Sequence, residues 1–322
     1  MGLIEEFQTG YAALRRAVAD RIVGQADLID GVLITLLSGG HALIEGLPGL
    51  GKTRLVEALC AAAGMSHHRI QFTPDLLPAD ITGTRILEQA AGGAIGFRFE
   101  AGPVFANLVL CDEINRATPK TQAALLEAMQ EGSVSAGGET HALPRPFSVL
   151  ATQNPIELEG TYPLPEAQMD RFAFKLLVQQ GSPEELQRIL AMTTGEAPPP
   201  PAPVLDAPRI GLMIQAVREV PIAEPLLARV AKLIALAQPD NPNCPAQVRS
   251  VLRFGPSIRG GQAMVLGAKA RALAHGRPHV SLEDLEALAA PALRHRLILN
   301  FEGNIAKTNP DDLVRTLWTA GT

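Results

Sequence analysis

Residues 46–53 read Gly46-Leu47-Pro48-Gly49-Leu50-Gly51-Lys52-Thr53, preceded by the short apolar run Ala42, Leu43, Ile44 and followed by Leu55, Leu59 and Ala62 at helical spacing. A strand, a glycine-rich turn and a helix in that order constrain the fold strongly. The backbone N–H groups of such a turn close around phosphate oxygens at the positive end of the helix, and open parallel sheets place turns of this kind at the carboxyl ends of their strands. In a loop of this pattern Lys52 reaches the β- and γ-phosphates and the Thr53 hydroxyl ligates Mg²⁺. Gly46, Pro48, Gly49, Leu50, Gly51 and the adjoining Arg54 complete the expected nucleotide-binding segment.

A second element makes this a magnesium-nucleotide site. The apolar residues 108–111 suit a strand buried on both faces and end in Asp112-Glu113. Two carboxylates are thereby delivered to the end of the sheet where ligands bind. Asp112 is expected to hold the metal through its water shell, and Glu113 to polarise an attacking water. ATP and Mg²⁺ are the implied ligands.

The remaining pattern is that of a helix-covered sheet. Further strand candidates lie at residues 69–72, 147–152 and 172–178, and helical stretches separate them, among them residues 120–130 with Thr118 as N-cap and Pro119 in the first turn. Alternation of this kind argues for a parallel α/β sheet of five strands. Amphipathic periodicity predicts a helix over residues 3–21 and a second one ending at Leu37. Residues 85–99 and 132–143 interrupt the alternation, each with a Gly-Gly pair (Gly92-Gly93 and Gly137-Gly138) that signals a hairpin. On pattern alone these are equally readable as functional insertions or as surface ribbons. A proline-rich stretch, residues 196–208, disfavours helix and sheet and divides an α/β domain at 1–195 from a smaller helical domain at 209–322. Helices are expected there at 208–217, 224–237, 257–275 and 281–293, the last opened by Ser281 with Asp284 three residues on.

Composition excludes several classes. With 322 residues, 47% hydrophobic, 19% charged and a net charge of −5, the chain has ample core for about two domains and no strongly basic nucleic-acid surface. No apolar stretch approaches the ~18–20 residues of a bilayer span, and residues 1–20 carry no basic start followed by an apolar segment. A cytoplasmic protein is expected. Cys60, Cys111 and Cys244 lack paired spacing, so neither a disulfide nor a structural zinc is expected.

Phosphoryl transfer depends on positioning and on cations placed where charge develops. Asn154 closes a strand expected beside the carboxylate strand, which puts it near the γ-phosphate; its position before Pro155 equally suits a turn.

The phosphate loop, Cys111-Asp-Glu-Ile-Asn-Arg-Ala-Thr-Pro-Lys-Thr-Gln122, Ala151-Thr-Gln-Asn-Pro-Ile156, Gly160-Thr-Tyr-Pro-Leu-Pro-Glu-Ala-Gln-Met-Asp-Arg-Phe172 and Gln71-Phe-Thr-Pro-Asp-Leu-Leu-Pro-Ala-Asp-Ile-Thr-Gly83 together resemble the MoxR family of AAA+ ATPases, over residues 22–296. The resemblance implies a P-loop AAA+ sheet domain with two hairpin insertions facing the centre of a ring, followed by a helical lid. It implies that Asn154 is the sensor-1 residue, that Arg171 is an arginine finger reaching a neighbouring subunit's γ-phosphate, and that Arg259 is the sensor-2 arginine of the lid. Val23, Gly24 and Gln25 fall where the family contacts adenine. The family commonly carries proline where Ile258 stands. It further implies a homo-oligomeric ring, a hexamer, and ATP-driven remodelling or maturation of a client protein complex, often with a von Willebrand factor A domain partner. A nucleic-acid motor is the alternative, but the expected hairpin tips at 90–94 and 136–139 are uncharged or acidic. A nucleotide-gated binding module without turnover is a third reading, opposed by the presence of Glu113, Asn154 and Arg171 together.

Overall fold

The apolar runs that end at Glu45, Asp112 and Gln153 are the three central strands of one parallel sheet. In a computed structural model, described for residues 2–46, 51–89, 95–154, 160–195 and 199–321, the strands in chain order are β1 (Ala42–Glu45), β2 (His67–Gln71), β3 (Gly83–Gln89), β4 (Ile95–Ala101), β5 (Leu108–Asp112), β6 (Ser133–Ala136), β7 (Glu139–Ala142), β8 (Ser148–Gln153), β9 (Phe174–Leu177), β10 (Leu252–Phe254) and β11 (Ile298–Leu299). The sheet runs β2-β5-β8-β1-β9, all parallel. Every residue of β5 is buried and only the last of β8 is partly exposed, as both-face burial in a parallel sheet requires.

The helices are α1 (Leu3–Ala19), α2 (Ala26–Leu37), α3 (Lys52–Ala62), α4 (Pro78–Thr82), α5 (Pro119–Glu131), α6 (Glu166–Met169), α7 (Pro183–Thr194), α8 (Ala207–Glu219), α9 (Glu224–Leu236), α10 (Ala246–Arg249), α11 (Ile258–Ala274), α12 (Leu282–Leu293), α13 (Phe301–Ile305) and α14 (Pro310–Ala320). The expected caps form. Thr118 Oγ1 accepts from Thr121 N at the start of α5, and Ser281 with Asp284 closes a capping box on α12. The second strand starts two residues earlier than the sequence pattern predicts, because His67 and His68 pair with Leu108 and Val109 although both are exposed. Edge position, not side-chain burial, makes those residues strand.

Two cores flank the sheet. On one face, α1, α2 and α3 share a continuous apolar cluster with α8, α9, α11, α12 and α14, running from Phe7 and Leu14 to Trp318. The other face packs Phe72, Ile81, Val109, Leu125, Leu126 and Phe172 into a separate cluster. Each such fully buried side chain contributes ~1.5–3 kcal/mol relative to exposure. The described part of the proline-rich stretch runs back along the sheet domain, with the Val204 and Leu205 N–H groups donating to the Ala62 carbonyl at 2.7 and 3.1 Å. The next helix starts at Ala207, with Asp206 as its N-cap. Within the otherwise helical C-terminal part, β10 and β11 pair as one antiparallel ribbon, too short to register as a periodic pattern.

Both Gly-Gly segments are hairpins. β3 pairs β4 and β6 pairs β7, each antiparallel, though the tip at residues 90–94 lies outside the described residues. The two touch: Phe99 stacks on His141 with ring centroids 3.8 Å apart, and Arg85 Nη1 donates to the Gly137 carbonyl at 3.1 Å. Cys60, Cys111 and Cys244 are buried free thiols. Among the described residues no helix is long and apolar enough to cross a membrane.

Candidate nucleotide-binding site

Three strand ends and one helix start converge on a single cavity of about 310 Å³, lined by Gly51, Lys52, Thr53, Arg54, Arg69, Gln71, Asp112, Glu113, Thr152 and Asn154. Gly51 caps α3 in the left-handed conformation, φ 80°, which glycine adopts without a side-chain clash. Lys52 and Thr53 open the helix there, so their side chains and the helix's free N–H groups face the same space. Pro48, Gly49 and Leu50 lie outside the described residues. Lys52 Nζ donates to the Gly46 carbonyl at 2.9 Å. Burial pulls its pKa below the ordinary lysine value, opposed by the nearby Asp112 and Glu113 carboxylates.

The two carboxylates have different surroundings. Asp112 accepts from Arg69 Nε at 2.7 Å and from the Thr152 hydroxyl at 3.2 Å. Glu113 sits at φ 57°, a left-handed conformation that costs a non-glycine residue roughly 1–2 kcal/mol. Thr152 Oγ1 holds it there by accepting from its backbone N–H at 3.0 Å. The Glu113 carboxylate accepts from Gln71 Nε2 at 2.9 Å and pairs with Arg116 at 3.1 Å. Asn154 is 9% exposed and lines the same cavity.

The donor set suits Mg²⁺. A threonine hydroxyl and a carboxylate offer only hard oxygen ligands, and the carboxylate already rests against a cation, the Arg69 guanidinium. Lys52 and the start of α3 offer donors to phosphate oxygens.

Arg69, Gln71 and Thr152 also line the cavity, and none of them carries an expected role in the sequence. The signal that could have found the first two is their spacing: they stand two apart on β2 and therefore on one side of it, next to the carboxylate strand.

The other candidate residues are not brought into this cavity. Gln25 is 8% exposed and its Nε2 donates to the Gln179 carbonyl at 2.9 Å. Val23, Gly24 and Gln25 stand beside the loop, since the preceding Ile22 side chain reaches within 4.0 Å of where a Cβ on Gly51 would be. Arg171 lies in a separate surface cavity with Leu126, Glu127, Gln130, Glu131 and Gln168, donating to the Leu126 carbonyl at 2.7 Å. Arg259, its side chain 48% exposed, faces Asp170 at 3.8 Å.

A phosphate loop, a paired-carboxylate strand and a third strand bearing a buried asparagine, on a β2-β5-β8-β1-β9 sheet followed by helices, define a P-loop ATPase of the AAA+ class. Comparison with known proteins narrows the class. Residues 41–174 match the ATPase family associated with various cellular activities (AAA), and residues 246–317 match the AAA lid domain. The chain is 41% identical over 316 residues to Chaperone MoxR1 of Mycobacterium tuberculosis, covering 97% of this chain and 82% of that one. It is 30% identical over 338 residues to Protein MoxR of Methylorubrum extorquens, covering 98% and 96%. The crystal structure of an ATPase candidate from Cytophaga hutchinsonii aligns with a TM-score of 0.92 at 35% identity, covering 98% of this chain and 96% of that one. The chain belongs to the MoxR family of AAA+ ATPases, and it is an ATPase.

Proposed function

We infer that this protein couples Mg²⁺-dependent ATP hydrolysis to chaperone-like remodelling or maturation of partner protein complexes. The observation that carries the reading is the convergence of Lys52, Thr53, Asp112, Glu113 and Asn154 on one cavity. The similarity to a protein named Chaperone MoxR1 supports the chaperone-like role.

In this reading Lys52 and the start of α3 bind the phosphates, Thr53 and Asp112 hold the metal, and Val23, Gly24 and Gln25 flank the base. Bound Mg²⁺ supplies charge neutralisation on the phosphoryl oxygens. Glu113 takes the proton of the attacking water, and Asn154 orients that water. Residues 1–195 form the nucleotide-binding domain and 209–322 the lid. Arg171 stands away from its own chain's cavity on a partly exposed surface, which favours its action on a neighbour's nucleotide. The working unit is therefore a ring, by kinship a hexamer, acting on a client complex with a von Willebrand factor A domain partner.

Phosphate release at saturating ATP and Mg²⁺ tests this. The wild type is expected to turn over, and Glu113→Gln to bind a fluorescent ATP analogue with wild-type affinity while losing about 10²- to 10⁴-fold in rate. Equal turnover in the two proteins contradicts the assignment. Added single-stranded DNA or RNA is expected to leave the rate unchanged; salt-sensitive stimulation favours a nucleic-acid motor instead.

A further inference from the structure

Asp170 is held from three directions, all by the C-terminal part of the chain. Arg296 Nε donates to Asp170 Oδ1 at 2.7 Å, Ser257 Oγ donates to Asp170 Oδ2 at 2.8 Å, and Arg259 pairs with the same Oδ2 at 3.8 Å. Ser257 and Arg259 open α11, while Arg296 follows α12.

The grip extends along the backbone. Arg296 Nη2 donates to the carbonyls of Asp170 and Phe172, both at 2.8 Å, and Nη1 to that of Ala173 at 3.0 Å. His295 Nε2 lies 3.0 Å from the Phe172 carbonyl, and Arg294 Nη1 donates to the Lys175 carbonyl at 3.1 Å. Three consecutive residues thus clasp the segment leading into β9, one of the two edge strands of the sheet. The Arg296 side chain is 3% exposed. A guanidinium so buried is costly unless its donors are satisfied, and here four of its hydrogen bonds converge on residues 170–173.

Arg171 lies inside this clasped segment. Its Cα is therefore fixed by the lid residues of its own chain, while its guanidinium lies on the surface beside α5, where Nη1 donates to the Leu126 carbonyl at 2.7 Å. We propose that Asp170 is a positioning residue: through it the lid of each protomer sets where that protomer's Arg171 stands relative to its neighbour's nucleotide. This rests on the reading of Arg171 as a finger acting between subunits. The consequence is directional. An Arg259 that leaves Asp170 for a phosphate releases one of the three holds on the segment, so the lid state of one protomer changes the cation presented to the next.

A double-variant cycle on the full-length protein tests this. ATPase kcat, KM and equilibrium affinity for a fluorescent ATP analogue are measured for wild type, Asp170→Asn, Arg171→Ala and the combined variant, with Asp170→Glu alongside to keep a charge beside Arg296. Misplacing a catalytic group by about an ångström can cost ~10²-fold. Asp170→Asn or Asp170→Glu is expected to lower kcat at least about tenfold, with KM and affinity within about twofold, and the combined variant is expected to be no slower than Arg171→Ala alone. A fall in Arg171→Ala accompanied by wild-type kcat in both Asp170 variants overturns the proposal. So does a combined loss equal to the product of the single losses, the signature of a merely structural role. Wild-type kcat in Arg171→Ala overturns the reading of the finger itself, and this proposal with it.

Discussion

Arg69 Nε lies 2.7 Å from the Asp112 carboxylate, at the mouth of the cavity that also holds Lys52 and Thr53. A guanidinium thus rests on the group expected to hold the metal, and the two cations compete for one carboxylate. The pair is half exposed on the arginine side, 53% against 11% for Asp112, so its worth is that of a screened surface contact. Arg69→Ala is expected to lower the Mg²⁺ concentration for half-maximal ATPase rate by roughly two- to fivefold, the equivalent of up to ~1 kcal/mol. A Mg²⁺ titration at fixed ATP measures it. An increase in the half-saturating concentration contradicts the competition.

Gln71 and Arg116 both engage the Glu113 carboxylate. A carboxylate spending its lone pairs on N–H donors is a weaker acceptor for a water proton. Gln71→Ala removes one competitor without touching the phosphate loop. Basal turnover is expected to rise roughly two- to tenfold, the equivalent of a hydrogen bond of about 0.5–1.5 kcal/mol. A steady-state phosphate-release assay decides; a loss of rate instead means that Gln71 orients Glu113 productively.

Features that rest on local chemistry are legible in the residues. The phosphate loop, the carboxylate-bearing strand, the Thr118 and Ser281 caps and the hairpin at Gly137-Gly138 each declare themselves within a dozen positions. Contacts closed by tertiary packing do not. Arg296 meets Asp170 across 126 positions, and nothing near either residue marks the other. Arg69 and Gln71 sit on an edge strand with only one buried residue, Ile70, so β2 carries little apolar alternation to show which side chains face the site. The β10–β11 ribbon has three and two residues, below the length at which period-two patterning means anything.

His41 is half-buried just before β1, with Nδ1 accepting from the Val149 N–H at 2.9 Å and Nε2 lying 3.2 Å from the Met129 carbonyl. Burial pulls its pKa down to about 4, opposed by the Met129 contact. Above the ordinary histidine value of about 6.5 the residue is neutral whether folded or not. Below it the unfolded chain takes up a proton that the folded chain refuses until about pH 4. Stability is therefore full above roughly pH 6.5 and declines as the pH falls toward 4. His295, buried and likewise lowered, acts in the same direction. His41→Gln preserves an acceptor and a donor, so its melting temperature is expected to change little at pH 7.5 and to fall less steeply than wild type between pH 6.5 and 4.5. A parallel slope for the two proteins contradicts the assignment of this window to His41.

Asp284 anchors the lid. Its side chain is fully buried beside Arg271 and Arg277. Burial pushes its carboxyl up, but the hydrogen bonds from Ser281, Arg271 and Arg277 outweigh that and leave it below the ordinary range. The stability it contributes is present above about pH 4 and lost as the pH falls through the lowered value. Asp284→Ala strands two guanidinium groups and is expected to cost about 3 kcal/mol at neutral pH, read as a shifted denaturation midpoint. A variant within about 0.5 kcal/mol of wild type contradicts this anchoring role.

The claim that hydrolysis is completed between subunits is tested most directly by mixing two inactive proteins. Glu113→Gln retains Arg171 but lacks the carboxylate proposed to activate water, and Arg171→Ala retains Glu113 but lacks the proposed finger. In mixed rings an Arg171→Ala protomer receives an intact finger from a Glu113→Gln neighbour, so random equal mixing is expected to restore about a quarter of the wild-type rate per subunit, well above the residual of either variant given fingers worth ~10³–10⁵ in rate. Activity no greater than the sum of the two proteins measured separately, under conditions where subunits exchange, contradicts the account.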